Sequence, residues 1–217
     1  MPLAHVHPSW RARLLCTVLI TWVSQHWVCA QAVSHGESTY QDEYTILRLQ
    51  SPDRTGITFR NDIDEFGEIN PINNLYHYAG AGVGLGDFDG DALLDIVLCS
   101  NQNSCSLYRN EGGLSFKDVS KEVGFTPKGE WITGVALADI NGDGHLDIYI
   151  CNTKKVGFDT TENIPNQCFI NDGFGQFKER AEELGLDYCG RSVQGYFFDY
   201  DLDGDLDMYL VNAPAEE

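Results

Sequence analysis

Apolar and polar residues alternate in three short runs, LLDIVL (93–98), HLDIYI (145–150) and LDMYLV (206–211). A period of two over so few residues predicts half-buried β-strands, because successive side chains on a strand point to opposite faces. Each run is preceded by a stretch rich in Asp, Asn and Gly, and before that by a second apolar stretch opening on glycine: GVGLG (82–86), GVALA (134–138) and GYFF (195–198). Gly, Asp and Asn tolerate positive φ, so each intervening stretch reads as the tight connection of a hairpin. Long runs with a 3.6-residue apolar period are missing, so the pattern is that of an all-β chain.

The hairpins are copies of one unit. GVGLGDFDGDALLDIVLCS (82–100), GVALADINGDGHLDIYICN (134–152) and GYFFDYDLDGDLDMYLVN (195–212) align, with their leading aspartates Asp87, Asp139 and Asp199 separated by 52 and 60 residues. The likeness continues downstream. SLYRNEGGLSFKDVSKEVGF (106–125) matches QCFINDGFGQFKERAEELGL (167–186) in an aromatic, an Asn, a Gly-rich turn, a Phe-Lys pair and a closing Gly-apolar step. A repeat of this length made of short strands, which must hide its sheet edges, predicts a β-propeller. Two full blades and the start of a third do not close a ring, so the chain reads as a truncated N-terminal part of such a propeller. TILRLQSPDRTGITFRND (45–62) is a candidate strand for the first blade or for ring closure.

The nine-residue loops carry the candidate chemistry. Position 1 is Asp87, Asp139 and Asp199; position 3 is Asp89, Asn141 and Asp201; position 5 is Asp91, Asp143 and Asp203; position 9 is Asp95, Asp147 and Asp207. Only oxygen-bearing side chains occupy these places, and their alternate spacing lets a coiled loop turn them inward. A backbone carbonyl at position 7, from Leu93, His145 or Asp205, adds a further oxygen. Several hard oxygen ligands in a flexible loop suit Ca²⁺, which accepts six to eight, better than the rigid octahedral Mg²⁺. Position 7 changes from Leu to His to Asp, so the His145 imidazole is not expected to be a ligand. An acidic, solvated turn is the competing reading, and it has to explain the same pattern three times.

DFDGDALLD, DINGDGHLD and DYDLDGDLD, each followed by a strand, resemble the calcium loops of FG-GAP/VCBS repeats in integrin-type propellers. LYRNEGGLSFKDVSKEVGF and FFDYDLDGDLDMYLVN resemble more narrowly the secreted ASPIC/UnbV, or cartilage acidic protein-like, family. The resemblance covers about residues 55 to 213. It implies a seven-bladed propeller with calcium between the first two strands of a blade. This chain departs from the family pattern in lacking the other blades and the C-terminal domain.

Charge and cysteines narrow the setting. The formal net charge is −19, which disfavours nucleic acid and anionic membranes as partners and favours cations. Arg11 and Arg13, the apolar run LLCTVLITWV (14–23) and the small residues of VCAQA (28–32) have the order of a secretory signal peptide, with too few apolar residues for a membrane span. The expected organisation is a signal at 1–32, an N-terminal extension with possible first-blade strands at 33–80, and the repeats at 81–217. Export permits disulfides. Cys99 with Cys105, and Cys151 with Cys168, lie at corresponding strand ends and are the expected pairs, leaving Cys189 unpaired.

No GxSxG, HExxH or Cys/His pattern marks an active site. The expected function is therefore a secreted, calcium-stabilised, non-enzymatic module that binds an extracellular protein or glycan. The alternatives are the scaffold of a carbohydrate-active enzyme and a structural spacer. Trp131 and the insertion TKKVGFDTTENIPNQ (153–167) are the least repeat-like stretches and the candidate partner contacts, with an ordinary variable loop and one packed Trp as the equally weighted alternative.

Overall fold

The glycine that opens each repeat marks where one sheet meets the next. In the computed structural model, which describes residues 47–67, 70, 77–129, 131–153 and 164–214, two sheets are four-stranded antiparallel meanders. The first contains β1 (Val83–Gly86), β2 (Asp95–Leu98), β3 (Ser106–Asn110) and β4 (Phe116–Asp118). The second contains β5 (Ile132–Ala138), β6 (Asp147–Asn152), β7 (Gln167–Asn171) and β8 (Phe177–Glu179). A third sheet is the hairpin β9 (Ser192–Phe198) and β10 (Asp207–Asn212). This is the architecture of successive propeller blades. The signal-peptide reading and most of the 153–167 insertion lie outside the described residues.

A Cβ on Gly82 would stand 2.5 Å from the backbone nitrogen of Val135, and one on Gly134 would strike the carbonyl oxygen of Val193. The first strand of each blade thus approaches the next closely enough that no side chain fits. Around these contacts Phe88, Val97, Phe125, Val135, Ile148 and Phe177 form one buried cluster between the first two sheets. Tyr149, Cys151, Cys168 and Ile170 form a second, closed by Phe197 and Met208 of the hairpin. Tyr149 is fully buried, with its ring edge-on to Phe197 at 5.6 Å. Its counterpart in the third repeat, Tyr209, is 62% exposed.

Residues 45–62 contribute no strand among the described residues. Pro52–Thr55 is a single helical turn closed by Gly56 in the left-handed region (φ 75°). A Cβ on Gly56 would meet the Phe116 carbonyl of β4, and one on Gly124 (φ 76°) would lie 2.7 Å from the Phe177 carbonyl of β8. The segment before the first blade therefore packs on that blade's outer strand as residues 120–125 pack on the second. Asn61 completes the attachment: its amide donates to Asn101 Oδ1 (2.8 Å), and its oxygen accepts from Ser100 Oγ (2.9 Å) and the Asn101 amide (3.0 Å).

Trp131 is 2% exposed and stacks beside buried His77, ring centroids 5.5 Å apart. It is a core residue and not a surface contact, because the chain entering β5 turns its indole against the buried His77 ring. The described cysteines are all free thiols. Cys168 lies opposite Tyr149, and Cys151 two residues beyond it. Cys151 and Cys168 are therefore diagonal neighbours, whose Cα atoms stand about 7–8 Å apart in a regular sheet, too far for a bridge without backbone movement.

Candidate metal centre

Each acidic nonapeptide joins the first two strands of its sheet, with Gly86 paired to Asp95, Ala138 to Asp147 and Phe198 to Asp207. Two residues per loop are left-handed: Gly90 and Ala92, Gly142 and Gly144, Leu202 and Gly204. These are positions 4 and 6. The coil they produce turns backbone N–H groups toward the position-1 carboxylate. Asp87 accepts from Gly90, Asp91 and Ala92 (2.8–3.1 Å), Asp139 from Asp143 and Gly144, and Asp199 from Gly204. The position-5 carboxylate accepts from the amide of position 7 in every loop: Leu93 to Asp91, His145 to Asp143, Asp205 to Asp203.

Ala92 and Leu202 occupy a conformation that costs an L-residue about 1–2 kcal/mol. Ala92→Gly and Leu202→Gly are each expected to stabilise the protein by about 0.5–1 kcal/mol once the extra chain entropy of glycine is subtracted. Urea unfolding of the two variants checks this. Destabilisation would mean that the left-handed coil is not the loop's stable form.

In the first loop Asp87, Asp89 and Asp91 each offer an oxygen, all within 4.8 Å of one another. In the third, Asp199, Asp201 and Asp207 do the same. Asp89 Oδ1 and Asp199 Oδ1 are buried and make no hydrogen bond. A buried carboxylate oxygen without a donor is costly unless a cation faces it. Gly175, from the β7–β8 turn, covers the first loop, its would-be Cβ 3.2 Å from that of Asp89. Beside them lies a cavity of about 40 Å³, lined by Asp89 and Asp95 among others. The donor set and the orphaned oxygens fit a hard cation.

The second loop is arranged differently. The Asn141 amide donates to Asp143 Oδ2 (2.8 Å) and holds that carboxyl below its ordinary value. An amide can supply a donor that the aspartates at the same position in the other loops lack, so here one carboxylate oxygen is satisfied from within the loop. His145 is exposed and its ring lies over Gly173, whose would-be Cβ is 2.5 Å from Nε2.

Position 9 has a role the spacing did not reveal. Asp95 and Asp147 are 1% and 0% exposed, and each uses both oxygens on backbone amides. Asp95 accepts from Phe88 (3.1 Å) and Asn110 (2.8 Å), and Asp147 from Ile140 (2.9 Å) and Asn171 (2.8 Å). Burial raises both carboxyls above their ordinary value, and the amides oppose that shift. They tie the loop to the third strand of the sheet. Asp207 keeps only the first of these bonds, from Tyr200 (2.9 Å), and is exposed.

The asparagines that donate here extend the site. Asn171 also sends its side-chain amide to the carbonyls of Phe88 (2.8 Å) and Leu146 (3.2 Å), clamping two blades. Its oxygen accepts from Gly173 and Gly175. The shared Asn-Glu/Asp-Gly of residues 110–112 and 171–173 was the available signal for this role.

Residues 87–150 match the FG-GAP-like repeat family. The chain is similar to cartilage acidic protein 1 of Xenopus tropicalis, 29% identical over 138 residues, which are 61% of this chain and 20% of that protein. It is also similar to cartilage acidic protein 1 of Mus musculus, 37% identical over 75 residues, 34% of this chain and 12% of that protein. The chain thus spans about one fifth or less of the length of these relatives.

Proposed function

We propose that this protein, whose residues 87–150 match the FG-GAP-like repeat family, is a calcium-stabilised extracellular module whose blades present loops to a protein or glycan partner. One observation carries the calcium part: carboxylates converge in two equivalent loops, and each of those loops holds a buried oxygen without a donor. Asp87, Asp89, Asp91 and the Leu93 carbonyl would hold the ion in the first loop, and Asp199, Asp201, Asp203, Asp207 and the Asp205 carbonyl in the third. Asp139, Asn141, Asp143 and the His145 carbonyl form the second set, which opens when the Asn141 amide releases Asp143. Asp95 and Asp147 orient the loops from below. The ion supplies positive charge that offsets the mutual repulsion of the aspartates.

Export rests on the order of charged, apolar and small residues at 1–32. Among the described residues no helix is long and apolar enough to cross a membrane. A binding role rests on the fold's habit of displaying loops, and fold by itself does not name a ligand. The test is a screen of the secreted protein against immobilised glycans and extracellular matrix proteins, in calcium and in chelator, with product analysis. Calcium-dependent capture without turnover supports the module. Release of cleaved sugar would favour the scaffold of a carbohydrate-active enzyme, and silence on all ligands with calcium bound would favour a spacer.

A further inference from the structure

β2 and β3 run antiparallel with Val97 opposite Leu107 and Leu98 opposite Ser106. Extending that register by one residue sets Cys99 opposite Cys105. The hydrogen bonds say which kind of pair this is. Leu107 sends its amide to Ser120 Oγ (2.8 Å) and accepts from the Val119 amide (2.9 Å), both on the β4 side. Val97 and Leu107 therefore face each other without mutual backbone bonds, Leu98 and Ser106 are the bonded pair, and Cys99 and Cys105 are the next unbonded one. The Cys99 amide agrees, since it donates away from β3 to the Gly82 carbonyl (2.9 Å). Residues at unbonded positions have Cα atoms about 4.5 Å apart, inside the window for a disulfide.

The two sulfurs already interact. Each thiol shifts the other: Cys99 is raised well above its ordinary value and Cys105 is lowered. Both side chains are buried, but Cys105 lines a cleft of about 440 Å³, together with Ser104, Asp118, Ser120, Phe125 and Pro127. A small reagent can reach it there. The other thiols differ in kind. Burial pushes Cys151 and Cys168 up to about 12, so they stay protonated, while Cys189 is exposed.

We propose that Cys99 and Cys105 form a disulfide that staples the β2–β3 hairpin, made by exchange with a small-molecule disulfide such as oxidised glutathione, while Cys151 and Cys168 remain reduced. The Cys105 thiolate attacks one sulfur of the donor and expels the first thiolate. Cys99 then attacks the Cys105 sulfur of the mixed disulfide and expels the second. Two protein thiols are oxidised, the donor is reduced to two thiols, and the two protein protons pass to the departing thiolates. The staple closes the loop Ser100–Ser104, whose Ser100 and Asn101 hold Asn61. It therefore also secures the segment that precedes the first blade.

The proposal rests on the extracellular reading only for the supply of oxidant, so the test uses the purified full chain in defined buffer. After equilibration in equimolar reduced and oxidised glutathione, free thiols are alkylated and the tryptic peptide spanning 61–109 is fragmented. The expected result is that neither Cys99 nor Cys105 is alkylated while Cys151 and Cys168 are, after unfolding. A phosphine reductant should lower the melting temperature by about 5 °C, and the Cys99→Ala/Cys105→Ala double variant should not respond to it. Alkylation of both cysteines, a glutathione adduct resting on Cys105, a bridge to Cys189, or a wild type indifferent to reductant would overturn the proposal. Fractionation of cells expressing the full chain tests export separately.

Discussion

Chelation of calcium is expected to lower the melting temperature by about 10 °C. Extracellular calcium modules commonly bind with Kd near 10⁻⁴ to 10⁻³ M. At a free concentration roughly tenfold above Kd each site adds about 1.4 kcal/mol, so three independent sites add about 4 kcal/mol. That is a large part of the stability of a marginal domain, and about 1 kcal/mol shifts the transition by about 2–4 °C at this size. Restored Ca²⁺ should recover the loss far better than Mg²⁺ at equal ionic strength. Asp87→Ala, Asp139→Ala and Asp199→Ala should each remove about one bound ion.

The sites should also rank. The first is covered by Gly175 of the next blade and should bind most tightly. The third has mostly exposed ligands and should bind most weakly. Calorimetry and metal analysis of the wild type and the three variants measure both stoichiometry and order. A folded protein that binds no calcium at millimolar concentration would leave the loops as acidic turns.

Asp147→Ala is expected to cost about 4 kcal/mol even in chelator, because the half-buried Ile140 amide and the buried Asn171 amide lose a charged acceptor together. Asp207→Ala should cost much less, since Asp207 is exposed and receives a single amide, from Tyr200. Urea unfolding with and without chelator separates the two roles of position 9. If the Asp147→Ala loss disappeared when calcium was removed, the residue would act as a ligand alone and the proposed tie between loop and third strand would be wrong. A loss that persists in chelator and grows in calcium would assign it both tasks.

Much of this protein is legible in one dimension because its information is local. Strands announce themselves by alternation, as in HLDIYI, and the repeat by the recurrence of a nonapeptide whose odd positions carry oxygen. The hairpin placement of each loop, and the strand pairing on either side of it, follow from that pattern alone. What the sequence did not determine depends on groups brought together from distant positions. Asp147 looks like Asp143 in the chain, yet one is buried beneath two amides and the other exposed, a difference set by Asn171, 24 residues away.

The same reason explains the remaining differences. Trp131 reads equally as a partner contact or a packed core residue until His77 is seen beside it. Residues 45–62 read as a candidate strand until Gly56 is seen against the Phe116 carbonyl, where a helical turn closed by a left-handed glycine packs instead. The cysteine pairs look equivalent by position, but register puts Cys99 opposite Cys105 and offsets Cys151 from Cys168 by two residues. Composition and spacing specify which residues can serve as strand, turn or ligand. Which partners they meet is decided by the register of the sheets and the approach of one blade to the next, and burial in that packing then sets the cost of every unpaired charge.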